Sequence, residues 1–149
     1  MAFFKKITFL FVLFFLVLTT RSFSEVVEKV QVKGNERITL ETIVIFGDIA
    51  IGKNYETSDV NSLIKKLYET NFFSNISVGL ENGLLTIAVK ENPIINTIVI
   101  KGEKAKKYKE AIKEQLNLRE KTSFVNNYVK SDINIIKELY RSLGYYFIK

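Results

Sequence analysis

The sequence predicts an α+β fold built from tandem copies of one small unit, each running strand, helix, helix, strand, strand, with the second copy incomplete. Three observations carry this. Two alternating stretches end in Lys-Gly, VQVKG at 30–34 and IVIKG at 98–102. Two amphipathic helices end alike, LYETNFF at 67–73 and LYRSLGYY at 139–146. Between two further alternating runs stands Asn82-Gly83, the pair that most strongly signals a two-residue hairpin, because a type I′ turn needs two left-handed residues.

Each element follows from local chemistry. In VVEKVQVKG, Val30 and Val32 fall on one face and Lys29, Gln31 and Lys33 on the other, the period of a half-buried strand. Thr39 caps a short helix, TLETIVIF, that closes before Gly47, and DIAIGKNY reads as a loop turned at Gly52 and Asn54. Val60, Leu63, Ile64, Leu67 and Tyr68 then place one apolar stripe on the helix TSDVNSLIKKLYET. Asn71 tolerates the left-handed region and so stops that helix, returning the chain through Phe72 and Phe73, which read as core at a helix-to-strand junction. Two strands follow, ISVGLE and LLTIAVKE, and Pro93 closes the unit by removing a ladder donor.

The order then restarts. INTIVIKG reads as a strand, and Tyr108, Ile112 and Leu116 mark a helix. Val129, Ile133, Ile136, Tyr140 and Leu143 give a longer helix over 126–142, spaced 4, 3, 4, 3. Gly144 repeats the stop of Asn71, and GYYFIK begins a strand whose partners are not in the sequence.

Composition limits the chemistry. The 149 residues are 47% apolar and contain neither cysteine nor histidine, which excludes disulfides, Cys/His zinc sites, thiol nucleophiles and imidazole bases. No G-x-x-x-x-G-K phosphate loop is present, and the scattered Asp and Glu residues read as solvated helix faces. An enzyme is therefore not expected, nor any cofactor or metal. The net charge of +6 includes Lys5, Lys6 and Arg21 within the first 24 residues, leaving +3 for the rest. No strand combines stacking aromatics with basic residues, so nucleic acid is not an expected partner. Residues 1–24 read as a signal peptide: a basic start, an apolar run of twelve residues from Ile7 to Leu18, and Ser22-Phe23-Ser24 for cleavage. A membrane anchor is the alternative, but crossing a bilayer takes about 20 apolar residues.

The tandem order, with VQVKGNERI at 30–38, IAIG at 49–52, LYETNF at 67–72 and VKENP at 89–93, resembles the polypeptide-transport-associated (POTRA) domains of outer-membrane assembly factors of the BamA type. The likeness extends over residues 26–149. It implies a first POTRA domain at 26–92 and a second at 93–149, truncated before its last strand. It further implies a protein on the periplasmic face of the outer membrane that binds and guides unfolded β-barrel precursors and docks accessory lipoproteins. In that family such units precede an outer-membrane barrel, which these residues do not contain. Cell-division scaffolds of the FtsQ kind and two-partner secretion transporters also carry such units and are the alternatives. In the family's fold the strand after the helix pair lies at a sheet edge, which makes Ile76, Ser77, Val78, Gly79 and Leu80 the candidate contact residues for β-augmentation by a client or partner strand. Ser77 and Gly79 face away from the expected core, so proline there is the first test of edge binding.

The helix stop carries its own test. A left-handed Asn71 predicts that Asn71→Gly is neutral or slightly stabilising and that Asn71→Val destabilises by roughly 1 to 2 kcal/mol, since a β-branched residue bears the left-handed penalty. Denaturant melts check this, and equal midpoints for the two variants would contradict it.

Overall fold

The structure is a computed structural model that describes residues 24–146. The signal-peptide reading of residues 1–24 falls, apart from Ser24, outside the described residues, as does the expected strand beyond Tyr146. The first unit runs β1 (Glu25–Val26), β2 (Lys29–Lys33), α1 (Leu40–Gly47), β3 (Asn54–Tyr55), α2 (Thr57–Glu69), β4 (Phe73–Glu81) and β5 (Leu84–Glu91). The second contributes α3 (Lys106–Gln115) and α4 (Asn126–Ser142).

A three-stranded sheet in the order β2-β5-β4 forms the floor of the first unit, β5 lying parallel to β2 and antiparallel to β4. Alternation in β5 sends Leu85, Ile87 and Val89 into the core, where they join Ile43 of α1, Leu63 and Leu67 of α2, and Phe73 and Ile76 of β4. The Asn82-Gly83 turn has φ of 51° and 75°, the double left-handed geometry its sequence predicts. Gly83 is also required sterically, because a Cβ there would sit 2.9 Å from Cγ of Glu28.

Two expectations need correction in this unit. Helix α1 starts after Thr39, whose hydroxyl accepts from the Thr42 amide, but it runs through Gly47 and is stopped by left-handed Asp48 (φ 53°). The segment DIAIGKNY is more than a loop. Gly52 turns it with φ 83°, but Asn54 is extended and pairs with Val26 in a separate two-stranded ribbon, β1-β3. Strands of two residues are too short for any period to reveal.

Helix α2 ends as expected. Thr70 caps it and Asn71 follows with φ 59°, its amide donating to the Tyr68 carbonyl at 3.0 Å. The next amide, of Phe72, donates to the Thr70 hydroxyl. Phe73 is buried, and Phe72 meets Phe73 and Phe46 edge to face at centroid distances of 6.2 and 5.7 Å. Asn71 carries a further load: its side-chain nitrogen donates to the Tyr128 hydroxyl of the second unit at 3.3 Å. Its backbone oxygen accepts from the Asn92 side chain at 2.9 Å. Asn71→Gly therefore gives up a contact between the units that sequence reading could not include.

The second unit repeats the first at the level of single hydrogen bonds. In the first, Val27 donates to Lys53 and Gly52 donates back to Val27; in the second, Ile95 donates to Thr122 and Lys121 donates back to Ile95. Lys121 thus stands in the place of Gly52, which accounts for its φ of 64°. Helix α4 has the predicted bounds and ends in a Schellman motif, Gly144 donating to Arg141 and Tyr145 to Tyr140.

Three expectations for this unit are overturned. Among the described residues INTIVIKG joins no ladder; the preceding Ile94 forms an isolated bridge to Ser123. Among the described residues no strand lies beneath α4, its stripe is only half covered, and Ile133 is 47% exposed. Tyr145 and Tyr146 are exposed as well, Tyr145 resting edge to face on Tyr140. The buried residue of α4 is Asp132, whose carboxylate accepts from the amides of Asn117 and Leu118 and from the Asn117 side chain, closing the α3–α4 loop. This carboxylate does not lie on a solvated face as the sequence suggested.

Nor does Glu91, at the end of β5. One of its oxygens accepts from three successive amides, Glu36, Arg37 and Ile38, at 2.9, 2.9 and 2.8 Å, while Arg37 Nε lies 3.4 Å from the other. A single carboxylate therefore ties the loop after β2 to the start of the link between units. Desolvation raises the pKa of Glu91, but the three amides and the Arg37 charge outweigh it and hold the carboxyl below its usual range. A depressed folded-state pKa stabilises above the unfolded value of roughly 4.3, and the stabilisation is lost as pH falls through the folded value. Glu91→Gln should cost about 1 to 3 kcal/mol at pH 7. The gap between the wild type and this variant in urea melts should narrow at pH 3; an unchanged gap would show that the charge is not what holds the loop.

Candidate functional site

Strand β4 lies at one edge of the three-stranded sheet, and its outer side meets no other strand among the described residues. What that edge offers depends on which amides point away from β5. A two-residue turn fixes the answer, because the residues flanking it, Glu81 and Leu84, form a pair that exchanges both hydrogen bonds. Counting back along the antiparallel register, Gly79↔Thr86 and Ser77↔Ala88 are hydrogen-bonded pairs. Leu80↔Leu85, Val78↔Ile87 and Ile76↔Val89 are not. The backbone groups of Ile76, Val78 and Leu80 therefore face outward.

An independent contact agrees. The Ile76 amide donates to the Tyr68 hydroxyl at 3.1 Å, away from β5. Side chains and backbone groups alternate together along a strand. Hence Ile76, buried at 8% exposure, and the half-buried Val78 and Leu80 send side chains into the core and backbone groups to the edge. Ser77 and Gly79 do the reverse: they are exposed on the open face of the sheet, and nothing lies within 4 Å of a Cβ built on Gly79. Among the five candidate residues, only Ile76, Val78 and Leu80 present edge groups, and the choice of Ser77 and Gly79 for proline is corrected, since their amides belong to the β4–β5 ladder.

The edge is bounded at both ends. A β-bulge at Ser74 interrupts the register between Phe73 and Asn75, which lets Phe73 and Ile76 both reach the core although three positions apart. At the other end stands the turn. The opposite edge, β2, has five residues to the nine of β4 and exposes lysines at both of its ends, a feature that blunts edge pairing.

The POTRA family model, described as surface antigen variable number repeat, matches residues 93–149. The chain is 26% identical over 126 residues to the outer membrane protein assembly factor BamA of Neorickettsia risticii, covering 85% of this chain and 17% of that protein. The second unit thus matches the POTRA family model, and the chain as a whole is similar in sequence to BamA proteins. A second relative, BamA of Buchnera aphidicola, is 25% identical over 142 residues, 94% of this chain and 23% of the relative, so this chain spans less than a quarter of the length of either. Its fold matches the POTRA1-2 structure of the periplasmic domain of Omp85 from Anabaena, with a TM-score of 0.56 at 18% identity and 84% of each chain covered.

Tyr68 is the edge residue that sequence reading missed. It was legible as the rim of an apolar stripe, yet a tyrosine at such a rim needs a partner for its hydroxyl, and LYETNFF and LYRSLGYY both place one there. In the second unit the Tyr140 hydroxyl donates to Glu103 at 2.7 Å. That bond raises the pKa of Tyr140 and lowers that of Glu103.

The amide assignment predicts an asymmetric proline scan. Ser77→Pro and Gly79→Pro should each destabilise by about 1 to 3 kcal/mol through a broken ladder bond. Val78→Pro and Leu80→Pro should cost little more than Val78→Ala and Leu80→Ala, because an edge amide is expendable. Thermal melts of the six variants check this; equal losses at all four proline positions would refute the assignment.

Proposed function

We propose that this POTRA region belongs to an exported outer-membrane protein assembly factor and receives unfolded β-barrel precursors by strand addition at the outer edge of β4. Residues 1–24 act as a cleaved signal peptide, residues 26–92 and 93–149 form successive POTRA units, and accessory lipoproteins dock on the array. The observation that carries the reading is the outward pair of amides and carbonyls at Val78 and Leu80 on a sheet edge that ends a single well-packed unit. Backbone groups recognise an extended chain whatever its side chains, which suits a receptor that must accept many different precursors. The matches to BamA favour this reading over a cell-division scaffold.

Because Val78 and Leu80 are half-buried against the core, their side chains offer a client little, and the backbone is the main binding surface there. Crosslinking between the POTRA region and an unfolded barrel precursor, from a photoreactive residue at Asn75, should therefore fall at least severalfold in Val78→Pro or Leu80→Pro. It should persist in Val78→Ala and Leu80→Ala. Full crosslinking in both proline variants, with circular dichroism showing that they fold, would mean that precursors bind elsewhere.

A further inference from the structure

Strand addition at β4 leaves a question of register, since an open strand of nine residues would let a client slide. The Tyr68 hydroxyl, 3.1 Å from the Ile76 nitrogen, stands where a client carbonyl would have to stand to accept from that amide. Tyr68 is 41% exposed, so it does not lie wholly beneath the strand. Two residues further back, past Asn75, the Ser74 bulge ends the regular ladder. We propose that Tyr68 is a register stop: it caps the edge at Ile76 and confines an added strand to Val78 and Leu80. The proposal rests on strand addition at β4 and specifies where on that edge the client sits.

The geometry gives Tyr68 this role for a physical reason. Neighbouring strands lie about 4.8 Å apart, and a side chain that rises from α2 to the outward amide of Ile76 occupies that lane. A capped amide also removes one donor from an otherwise exposed edge, which lessens indiscriminate pairing between copies. The core-facing stripe of α2 thus does two things at once: Leu63 and Leu67 bury against the sheet, while Tyr68, next along the helix, reaches around to its edge.

Residue-resolved amide exchange on the folded chain tests this, using as probe a synthetic peptide of alternating valine and threonine with lysines at its ends. In the wild type the Ile76 amide should exchange slowly without peptide, and added peptide should slow Val78 and Leu80 only. Tyr68→Phe should speed Ile76 exchange severalfold in the free protein. Tyr68→Ala, which also clears the ring, should let the peptide protect Ile76 together with Val78 and Leu80 and raise its affinity about fivefold, the worth of one net hydrogen bond. Ser77 and Gly79, bonded to β5, serve as internal controls that the hairpin is intact in each variant. Unchanged Ile76 exchange in both variants, or peptide protection that still stops at Val78 in Tyr68→Ala, would overturn the stop while leaving strand addition standing. Absence of protection at Val78 and Leu80 in every protein would overturn strand addition and the stop with it.

Discussion

The coupling of side-chain direction to hydrogen-bond direction along β4 is the constraint on which the rest of the molecule depends. A strand that buries Ile76, Val78 and Leu80 has no choice about where the corresponding amides go. The left-handed pair Asn82-Gly83 sets the phase of that alternation, because the pair flanking a two-residue turn must be the hydrogen-bonded one. A one-residue slip would expose the apolar set and turn the edge donors inward, so the core and the edge hold each other in register. The residues that stabilise the unit are also those whose backbone is offered at its rim.

The unit is closed by polar groups placed at its ends more than by further apolar area. Glu91 gathers three amides at the exit of β5, and Asn71 and Asn92 bond to each other across the same junction, with Tyr128 of the next unit bonded to Asn71. Asp132 plays a related part within the second unit by closing the α3–α4 loop. These bonds place α4 beside the stop of α2 without a large apolar interface.

Much of this was legible in the sequence, and what was not has a common cause. Asn71, Gly144 and Asn82-Gly83 were readable because left-handed backbone restricts residue type at a single position. The helix bounds of α2 and α4 followed from stripes of adequate length. Strands β1 and β3 were invisible because two residues carry no period, and Lys121 gave no sign of its positive φ because it inherits that geometry from a fold in which glycine is the easier choice. Glu91 and Asp132 were misread as solvated because their partners lie 53 to 55 and 14 to 15 residues away. The strand at INTIVIKG was read from a sound local pattern, but a pattern supplies only one side of a ladder.

For the candidate site the sequence supplied the strand and not its phase. Ser77 and Gly79 stood out because they are small and face solvent, yet the outward amides belong to their apolar neighbours. Scalar couplings across the hydrogen bonds of the β4–β5 hairpin measure that phase directly. The account predicts couplings linking the Ser77, Gly79 and Glu81 amides to the carbonyls of Ala88, Thr86 and Leu84, and none from Val78 or Leu80. Couplings from Val78 and Leu80 into β5 would contradict it.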